Sequence, residues 1–540
     1  MGKIVKSVLL LFSIFTCSYG QERTMGLMMN TADSDDGFTL FAPSSSLRTY
    51  LIDNCGNEIN SWESEYRPGA VAYLMENGSL LRTGRISGMF NAGGRGGIIE
   101  MISWDGDIEW QYTYADSLVH QHHDVELMPN GNVLILAWER ISEEEARSMG
   151  RQGAIGDLGL WPDHVVEVQP DGLNDGIIVW EWHVKDHLIQ DIDSSKVNYG
   201  VISEHPERIN INAFAYPGGD WNHCNAVDYN PELDQIILSS RNFNEFWIID
   251  HSTTIAESAG STGGKAGKGG DLLYRWGNPI SYNQGNVEDK KLYGQHDVHW
   301  IEAGLPNEGK IMIFNNGDTR GYSTVDIIEP PMDDDGNYLR ASNTSYGPND
   351  LFYSYEGNDL FSPRISGAQQ MINGNILICE GFTGRFFEVD PVGNVVWFYQ
   401  NPVSNNPQTQ GDPVGNNGSF RVYRYPRTLS GFEDKDLTPG LPVELGDNFY
   451  TCQIFGLSSA EELGYESLNS NVYPNPVSDI MFVKNTQASR YKMMDMQSRL
   501  VSGVVTDGKI STASFGSGVY LLTLYDKQDK VIGREKIVKI

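Results

Sequence analysis

Two patterns of apolar and polar residues recur along the chain between residues 49 and 425. In the first, an apolar segment ends at an acidic turn with a nearby glycine, and the next segment ends in an aromatic residue; examples are residues 49–62, 97–112, 164–182 and 385–399. In the second, two apolar segments flank a turn that commonly contains Asn-Gly, as in residues 72–84, 125–138, 226–240, 298–314 and 369–381. Both patterns predict β-hairpins.

The two hairpin types alternate, so one full period predicts a four-stranded unit. Successive copies are roughly 50 to 100 residues apart, and glycine-rich or acidic insertions lengthen the period. Irregular four-stranded repeats favour a β-propeller of six blades, with a β-sandwich or a β-helix as the alternatives. One short helix is predicted over residues 141–149.

The repeat ends near residue 430, and a different unit begins near residue 470. Short alternating segments and the apolar stretch 516–525 predict a small β-sandwich there. The fold class is therefore predicted as all-β, a six-bladed β-propeller followed by a small C-terminal β-sandwich. The predicted parts are a signal peptide at 1–20, the propeller at 21–430, a linker at 431–468 and the C-terminal domain at 469–540.

Residues 1–20 have the composition of a secretory signal peptide. Two lysines precede an apolar run over residues 8–15, and the small residues Ser18 and Gly20 suit signal peptidase. The apolar run is too short to span a bilayer, so we expect export and no transmembrane segment.

The charge balance is strongly acidic, with 39 Lys and Arg against 71 Asp and Glu and a formal net charge of -32. Such a surface repels phosphate backbones, which disfavours nucleic acid as a partner. A site for an anionic substrate must then be a local basic exception.

Four cysteines remain after removal of the signal peptide: Cys55, Cys224, Cys379 and Cys452. In an oxidising compartment they could form two disulfides in any of three pairings, and the sequence does not choose among them. Buried thiols at Cys224 and Cys379 are equally consistent with the pattern.

Several of the 11 histidines occupy the same place in the repeat, directly before the first strand of the second hairpin type. They lie in the segments 122–124, 221–223 and 295–297. In a propeller the innermost strands line the central channel and begin at one mouth of it, so three units would direct imidazoles toward one point. Each histidine alone is consistent with a structural role, whereas their convergence favours a functional site.

Arg241 follows the strand that pairs with the segment after His223, so the hairpin returns it to the same channel mouth. A guanidinium group offers a planar fork of donors that suits sulfate or phosphate oxygens. A salt bridge between blades is the alternative role. Because imidazoles are expected beside Arg241, the sequence predicts a pocket that binds an oxyanion.

The chain resembles the bacterial aryl-sulfate sulfotransferases in three segments, DWNHCNAVDYNPELDQIILSSR (220–241), LLYRWGNP (272–279) and GQHDVHWI (294–301). The likeness extends over most of residues 38–425. It implies a six-bladed propeller that moves a sulfuryl group from a phenolic sulfate ester to a phenol without a nucleotide donor, a cofactor or a metal.

The resemblance also implies roles for single residues. His296 matches the nucleophile that becomes sulfated, and His223 and Arg241 match the residues that hold the sulfate oxygens. The remaining histidine is His122 or His123, and His123 is favoured because it shares the His-Asp-Val order with His296.

The C-terminal segment resembles the sorting domain of the type IX secretion system in its YPNPVSD, GVYLLTLY and KIVK sequences. This resemblance covers about 70 residues. It implies recognition by the type IX machinery, passage across the outer membrane with removal of the tail, and release or attachment at the cell surface.

Two other functions are consistent with a histidine-bearing propeller. One is a metal- or quinone-dependent enzyme, since clustered imidazoles bind divalent ions, although Arg241 would repel a cation. The other is a non-catalytic propeller that binds carbohydrate or a surface partner. The glycine-rich segment 263–270 lacks the ending of a phosphate-binding loop and predicts a flexible rim loop instead.

Overall fold

A computed structural model of the protein describes residues 23–214, 218–334, 336–357, 359–446, 452, 454, 472–473, 477–484, 487–495, 500–513, 515–516, 518–527 and 531–539. The predicted signal peptide at 1–20 and part of the predicted linker at 431–468 lie outside the described residues. None of the helices in the described ranges has the length and apolar character needed to cross a bilayer.

Six antiparallel sheets, here numbered 1 to 6, contain most of the strands between residues 26 and 426. Sheet 1 has the strand order Ser419–Pro426, Gly37–Pro43, Arg48–Ile52 and Glu58–Glu63. Sheet 2 has Pro68–Leu74, Leu80–Arg85, Gly97–Ile102 and Ile108–Thr113. Sheet 3 has Val119–Leu127, Val133–Glu139, Asp163–Asp171 and Asp175–His183.

The remaining three sheets continue in the same order along the chain. Sheet 4 has Cys224–Asn230, Gln235–Ser240, Glu245–Asp250 and Tyr274–Trp276. Sheet 5 has His296–Trp300, Ile311–Asn315, Thr324–Ile328 and Tyr353–Tyr355. Sheet 6 has Gly367–Gln370, Ile376–Glu380, Arg385–Val389, Val395–Gln400 and Gly26–Asn30.

Smaller elements connect these sheets and form the C-terminal segment. The described helices are Glu143–Ser148 and Ile255–Ser258, with 3-10 turns at Val184–His187, Ile202–Glu204, Pro279–Tyr282, Val287–Asp289 and Ser430–Phe432. A short parallel pair is formed by Leu188–Ile189 and Ile209–Asn210. The C-terminal sheets have the orders Val472–Tyr473, Ile480–Val483, Lys509–Ser511 and Leu500–Val504, Arg490–Asp495, Gly518–Tyr525, Val531–Lys539.

The predicted hairpins and the predicted helix are confirmed. Each hairpin of the Asn-Gly type supplies the first two strands of a sheet, and each hairpin of the aromatic type supplies the third and fourth. The helix begins after Ser142, whose hydroxyl accepts a hydrogen bond from the backbone N–H of Glu145. A serine in this place satisfies an amide that the first helical turn leaves without a partner.

Both ends of the repeat region join sheets that the local pattern does not assign to them. Ser419–Pro426 becomes the first strand of sheet 1, and Gly26–Asn30 becomes the fifth strand of sheet 6. The first strand of each sheet contacts the first strand of the next, and the first strand of sheet 6 contacts that of sheet 1. The first strands therefore form one continuous circuit of contacts.

The core consists of six apolar layers, each between two successive sheets. Alternate side chains of one strand enter different layers: Ile135 packs toward sheet 2, whereas Leu134 and Leu136 pack toward sheet 4. Because side chains alternate between the faces of a strand, a strand buried on both faces must be apolar throughout. This explains the uninterrupted apolar runs in the sequence.

The tryptophans that end the aromatic hairpins tie neighbouring sheets together. The indole N–H of Trp62 donates to the Ser103 carbonyl at 2.9 Å, and that of Trp110 donates to the Asp175 carbonyl at 2.8 Å. A buried indole needs such a partner, and here the partner always belongs to the next sheet.

One disulfide joins Cys55 to Cys452. Cys224 and Cys379 are buried free thiols in the strands of sheets 4 and 6. Of the two alternatives that the sequence allowed for this second pair, the structure has the buried thiols.

Candidate active site

Three of the first strands start with an irregular backbone at the predicted histidine segments. His123, His223 and Asp297 have φ angles of 52°, 49° and 53°, a left-handed conformation that residues with a side chain seldom adopt. Strand pairing shifts register at or directly after these positions in sheets 3, 4 and 5. Bulges of this kind redirect side chains and are common beside functional sites.

His296 is 2% exposed and its ring is fixed by Asn316. His296 Nδ1 lies 2.8 Å from Asn316 Oδ1, while the Asn316 amide donates to the carbonyls of Ser362 and Ile365 at 2.8 Å each. Because both amide hydrogens are used, Asn316 Oδ1 can only accept, so the hydrogen of neutral His296 is on Nδ1. The lone pair is then on Nε2.

The imidazole of His296 is kept neutral. Burial lowers its pKa well below the ordinary histidine value, and the positive charge of Arg241 acts in the same direction. Nε2 accepts a backbone hydrogen bond from Ile365 at 3.2 Å. A neutral imidazole with a defined Nε2 lone pair has the form of a nucleophile.

His223 is held by a carboxylate instead of an amide. Its Nδ1 lies 2.5 Å from Asp220 Oδ2, and Asp220 Oδ1 accepts the indole N–H of Trp138 at 2.9 Å. Burial alone would raise the pKa of Asp220, but His223 and Trp138 outweigh it and lower that pKa below its usual value. His223 and Trp138 thus hold both oxygens of the ionised Asp220 carboxylate.

His123 and His122 lie one behind the other. The ring of His123 packs edge-on against that of His223, with centroids 4.7 Å apart. His122 is fully buried, stacks on Trp138 at 4.0 Å and bonds the carboxyl of Asp163 at 3.0 Å. Of the two candidates, His123 is thus the one beside His223.

Arg241 lies beside His223, to which its backbone is hydrogen-bonded, and its charge acts on His296. Its N–H donates to the His223 carbonyl at 3.1 Å, and its guanidinium pairs with Asp318 at 3.1 Å. The side chain is 26% exposed, and its other terminal nitrogen donates to Asn242 Oδ1 at 3.2 Å. The structure therefore gathers His123, His223, His296 and Arg241 at one location, and leaves His122 behind it.

The comparison with protein families fits this geometry. Residues 98–410 match the family model described as Arylsulfotransferase (ASST). The chain belongs to the arylsulfotransferase family. Membership supports aryl sulfotransferase activity in general.

A second model, described as Secretion system C-terminal sorting domain, matches residues 471–539. This domain points to secretion to the cell surface or the extracellular space. The predicted sorting tail is confirmed.

Other comparisons add little to the family assignment. No curated protein matches this chain. Similar solved structures include a protein of unknown function from Bacteroides caccae, with 12% identity, a TM-score of 0.39 and coverage of 72% of this chain and 100% of that one. They also include the Cps50 (Swd1) β-propeller domain of Myceliophteria thermophila, at 9% identity, a TM-score of 0.36 and coverage of 73% and 90%. Virginiamycin B lyase from Staphylococcus aureus has 10% identity, a TM-score of 0.30 and coverage of 70% and 88%. Similarities this low carry no argument about function.

The candidate site has a charged floor that sequence reasoning missed. Arg421, in the first strand of sheet 1, is buried and pairs with Asp124 at 2.8 Å and with Asp297 at 2.9 Å. These carboxylates follow His123 and His296 directly in the sequence. Arg421 therefore ties sheets 1, 3 and 5 together beneath the histidines. Its arrival in sheet 1 depends on the pairing of the two chain ends, which local sequence does not reveal.

A glycine-rich loop covers the ring of His123, and this too was missed. The Gly94 carbonyl accepts the His123 N–H at 2.7 Å, and a Cβ atom built on Gly94 would lie 2.1 Å from His123 Nε2. Gly94 also has a φ of 75°. A side chain at this position would occupy the space above the imidazole, so the loop requires glycine.

One group in the described part of the chain has metal-ligand chemistry. Ligand atoms of Glu139, His164 and His183 lie within 4.8 Å of one another. However, Glu139 bonds Lys185 Nζ at 2.5 Å and His183 Nδ1 at 3.0 Å. The lysine charge repels a cation, and the group forms an internal ion-pair cluster.

Proposed function

We propose that the protein transfers a sulfuryl group from a phenolic sulfate ester to a phenol through a sulfo-histidine at His296. The observation that carries this proposal is the state of His296: a buried neutral imidazole whose hydrogen is fixed on Nδ1 by Asn316, beside two further imidazoles and Arg241. Membership of the arylsulfotransferase family gives the class of substrate.

In the first half-reaction, His296 Nε2 attacks the sulfur and the S–O bond to the aryl group breaks. The Ile365 N–H that His296 Nε2 accepts in the resting site must give way to sulfur at this step. In the second half-reaction, the oxygen of an acceptor phenol takes the sulfuryl group, and the S–N bond breaks. One difficult transfer becomes two easier ones.

His223, Arg241 and His123 serve the sulfuryl oxygens and the departing phenolate. The guanidinium fork of Arg241 matches two sulfuryl oxygens, and the His223 ring, whose Nδ1 is held by the Asp220 carboxylate, lies beside the same group. Loss of one preorganised donor of this type typically raises the barrier by about 2.7–4 kcal/mol. Donor and acceptor phenols would use the same pocket in turn.

We also propose that sheets 1 to 6 are the blades of a six-bladed β-propeller over residues 21–430. The circuit of contacts among the first strands supports this arrangement. Residues 1–20 would be a cleaved signal peptide, 431–468 a linker and 469–540 a β-sandwich read by the type IX machinery. The site then lies where the first strands of the blades begin.

The test is ping-pong transfer between 4-nitrophenyl sulfate and phenol by the mature protein with a chelator present. His296→Ala should abolish transfer and also the acid-labile sulfate bound to the protein. His187→Gln is the matched control, because His187 is equally buried and paired with a carboxylate, yet lies outside the site. Transfer by His296→Ala at the wild-type rate would refute the sulfo-histidine, and a requirement for added metal would favour a metal-dependent enzyme.

A further inference from the structure

A chain of three buried groups leads away from the site on the side of His123. His123 Nδ1 lies 2.8 Å from His122 Nδ1, and His122 Nε2 lies 3.0 Å from Asp163 Oδ1. All three residues are at most 3% exposed. Two facing Nδ1 atoms at this distance must share one hydrogen, so the position of that hydrogen sets the tautomers of both rings.

The environment of Asp163 sets the direction of this hydrogen-bond chain. Asp163 Oδ2 already accepts the Asn222 amide at 2.7 Å and the Cys224 N–H at 2.5 Å, which leaves Oδ1 for His122. Burial raises the pKa of Asp163 to about 8, and the negative charge of Asp220 adds to the effect. The Asp163 carboxyl is therefore largely protonated at neutral pH.

In most Asp-His pairs the imidazole donates its hydrogen to a carboxylate. A protonated carboxyl reverses this direction and donates to the imidazole. Asp163 Oδ1–H donates to His122 Nε2, His122 Nδ1–H donates to His123 Nδ1, and His123 then carries its hydrogen on Nε2. Among the described residues, no hydrogen-bonding partner contacts His123 Nε2. This N–H is the free end of the chain, on the edge of the ring below Gly94.

We propose that Asp163 and His122 form a proton relay that supplies the departing phenolate through His123 Nε2 and recovers the proton from the acceptor phenol. The proposal rests on the sulfuryl transfer described above. It makes Asp163 and His122 positioning and relay residues that do not touch the substrate.

The proton balance closes over the two half-reactions. As the S–O bond breaks, the phenolate takes the proton of His123 Nε2, His123 Nδ1 takes that of His122 Nδ1, and His122 Nε2 takes that of Asp163. Asp163 is then a carboxylate and both imidazoles stay neutral, which suits their burial, since burial lowers the pKa of each. The acceptor phenol reverses every transfer as its oxygen bonds sulfur.

The other ionisable groups at the site cannot supply this proton. Asp220 has a lowered pKa and is ionised, with both of its oxygens already accepting hydrogen bonds. Arg241 and Arg421 keep their protons at any relevant pH. Asp163 is thus the buried acid connected to the pocket through hydrogen bonds.

The relay predicts a dependence on the leaving group that a structural role would not produce. A phenolate with a pKa near that of tyrosine, about 10, needs a proton as it leaves, whereas a nitrophenolate needs little help. Rates for 4-methylphenyl sulfate should therefore depend on the relay, and rates for 4-nitrophenyl sulfate should not.

Asp163→Asn is the decisive variant. Its side-chain oxygen can still accept from Asn222 and Cys224, and its amide can still donate to His122, so the tautomers remain while the transferable proton is lost. We expect kcat/KM to fall about 100-fold for 4-methylphenyl sulfate and less than about threefold for 4-nitrophenyl sulfate. His187→Gln should leave both rates at the wild-type level.

The outcomes distinguish a failure of the relay from a failure of the proposed sulfuryl transfer. An equal loss on both substrates, or no loss on either, overturns the relay, whereas wild-type protein that transfers no sulfate overturns the proposed function. If Asp163→Asn does not fold, the wild-type solvent deuterium effect replaces it. That effect should be larger for 4-methylphenyl sulfate, and equal effects on the two substrates overturn the relay.

Discussion

Replacing Arg421 by methionine tests the charged floor of the site directly. Arg421 contacts Asp124 at 2.8 Å and Asp297 at 2.9 Å, and all three side chains are at most 4% exposed. It also donates to the Tyr73 hydroxyl at 3.1 Å. Methionine preserves much of the volume but removes the charge, so two buried carboxyl groups lose their common partner.

The expected cost follows from the options left to these carboxyls. Breaking a buried ion pair by removal of one partner typically costs about 3–5 kcal/mol. Asp124 can avoid an unpaired charge by taking up a proton. From its ordinary pKa of 3.8, protonation at pH 7 costs at most about 4.4 kcal/mol, and at pH 5 about 1.6 kcal/mol.

The pH dependence has a definite sign. Burial already raises the pKa of Asp124, and Arg421 opposes that rise. In Arg421→Met the folded-state pKa rises further above the unfolded value, so the variant binds more protons when folded. Its stability deficit is then largest at neutral pH and shrinks as the pH falls toward the unfolded pKa.

Urea unfolding followed by tryptophan fluorescence measures this deficit at pH 7 and pH 5. We expect Arg421→Met to lose about 4 kcal/mol at pH 7 and about 2 kcal/mol less than that at pH 5. Arg48→Met is the control, because the Arg48 side chain pairs with Glu63 at the surface, where such a pair contributes less than about 0.5 kcal/mol. A deficit below 1 kcal/mol, or one that does not change with pH, would refute the reasoning.

Two further predictions concern the imidazoles. Gly94→Ala places a methyl group 2.1 Å from the His123 ring in a conformation that disfavours alanine. Transfer should fall by about 100-fold while the far-ultraviolet circular dichroism stays unchanged, and wild-type activity would show that the loop is displaced from the ring. Asn316→Ala removes the shorter of the two acceptors at His296 Nδ1 and leaves only the Gly294 carbonyl, at 3.1 Å. The rate of sulfo-enzyme formation in a rapid-quench assay should drop about 100-fold, and an unchanged rate would mean that the tautomer is set elsewhere.

The hairpins of the fold could be predicted from sequence because their signals are local. An Asn-Gly turn between two apolar runs, as at residues 125–138, fixes strand length, turn and pairing within fourteen residues. The closure of the repeat could not be predicted in this way. Gly26–Asn30 pairs with Val395–Gln400, and Gly37–Pro43 pairs with Ser419–Pro426, over separations that carry no local signal.

In the candidate site, too, the features with a local sequence signal could be predicted and the others could not. Because His223 and His296 occupy the same position in the repeat, the sequence was enough to predict that they lie close together. The hydrogen-bond partners of these rings were missed for different reasons. Asn316 lies 20 residues after His296 and reaches it only through strand pairing, whereas Asp220 lies three residues before His223 and is a local partner that the pattern of histidines did not single out. Arg421 was missed because its strand belongs to sheet 1 only through closure.

The partners of the histidines explain how one residue type can take several roles at one site. A neutral amide oxygen on Nδ1 leaves His296 with a lone pair at Nε2 and raises its pKa less than burial lowers it, whereas His223 has a carboxylate on Nδ1. A second imidazole on Nδ1 gives His123 a hydrogen that moves with the state of Asp163. Exchange of these partners should therefore exchange the roles. An Asn316→Asp change would put a carboxylate on the nucleophile, favour its protonated form and suppress attack even though every imidazole remains in place.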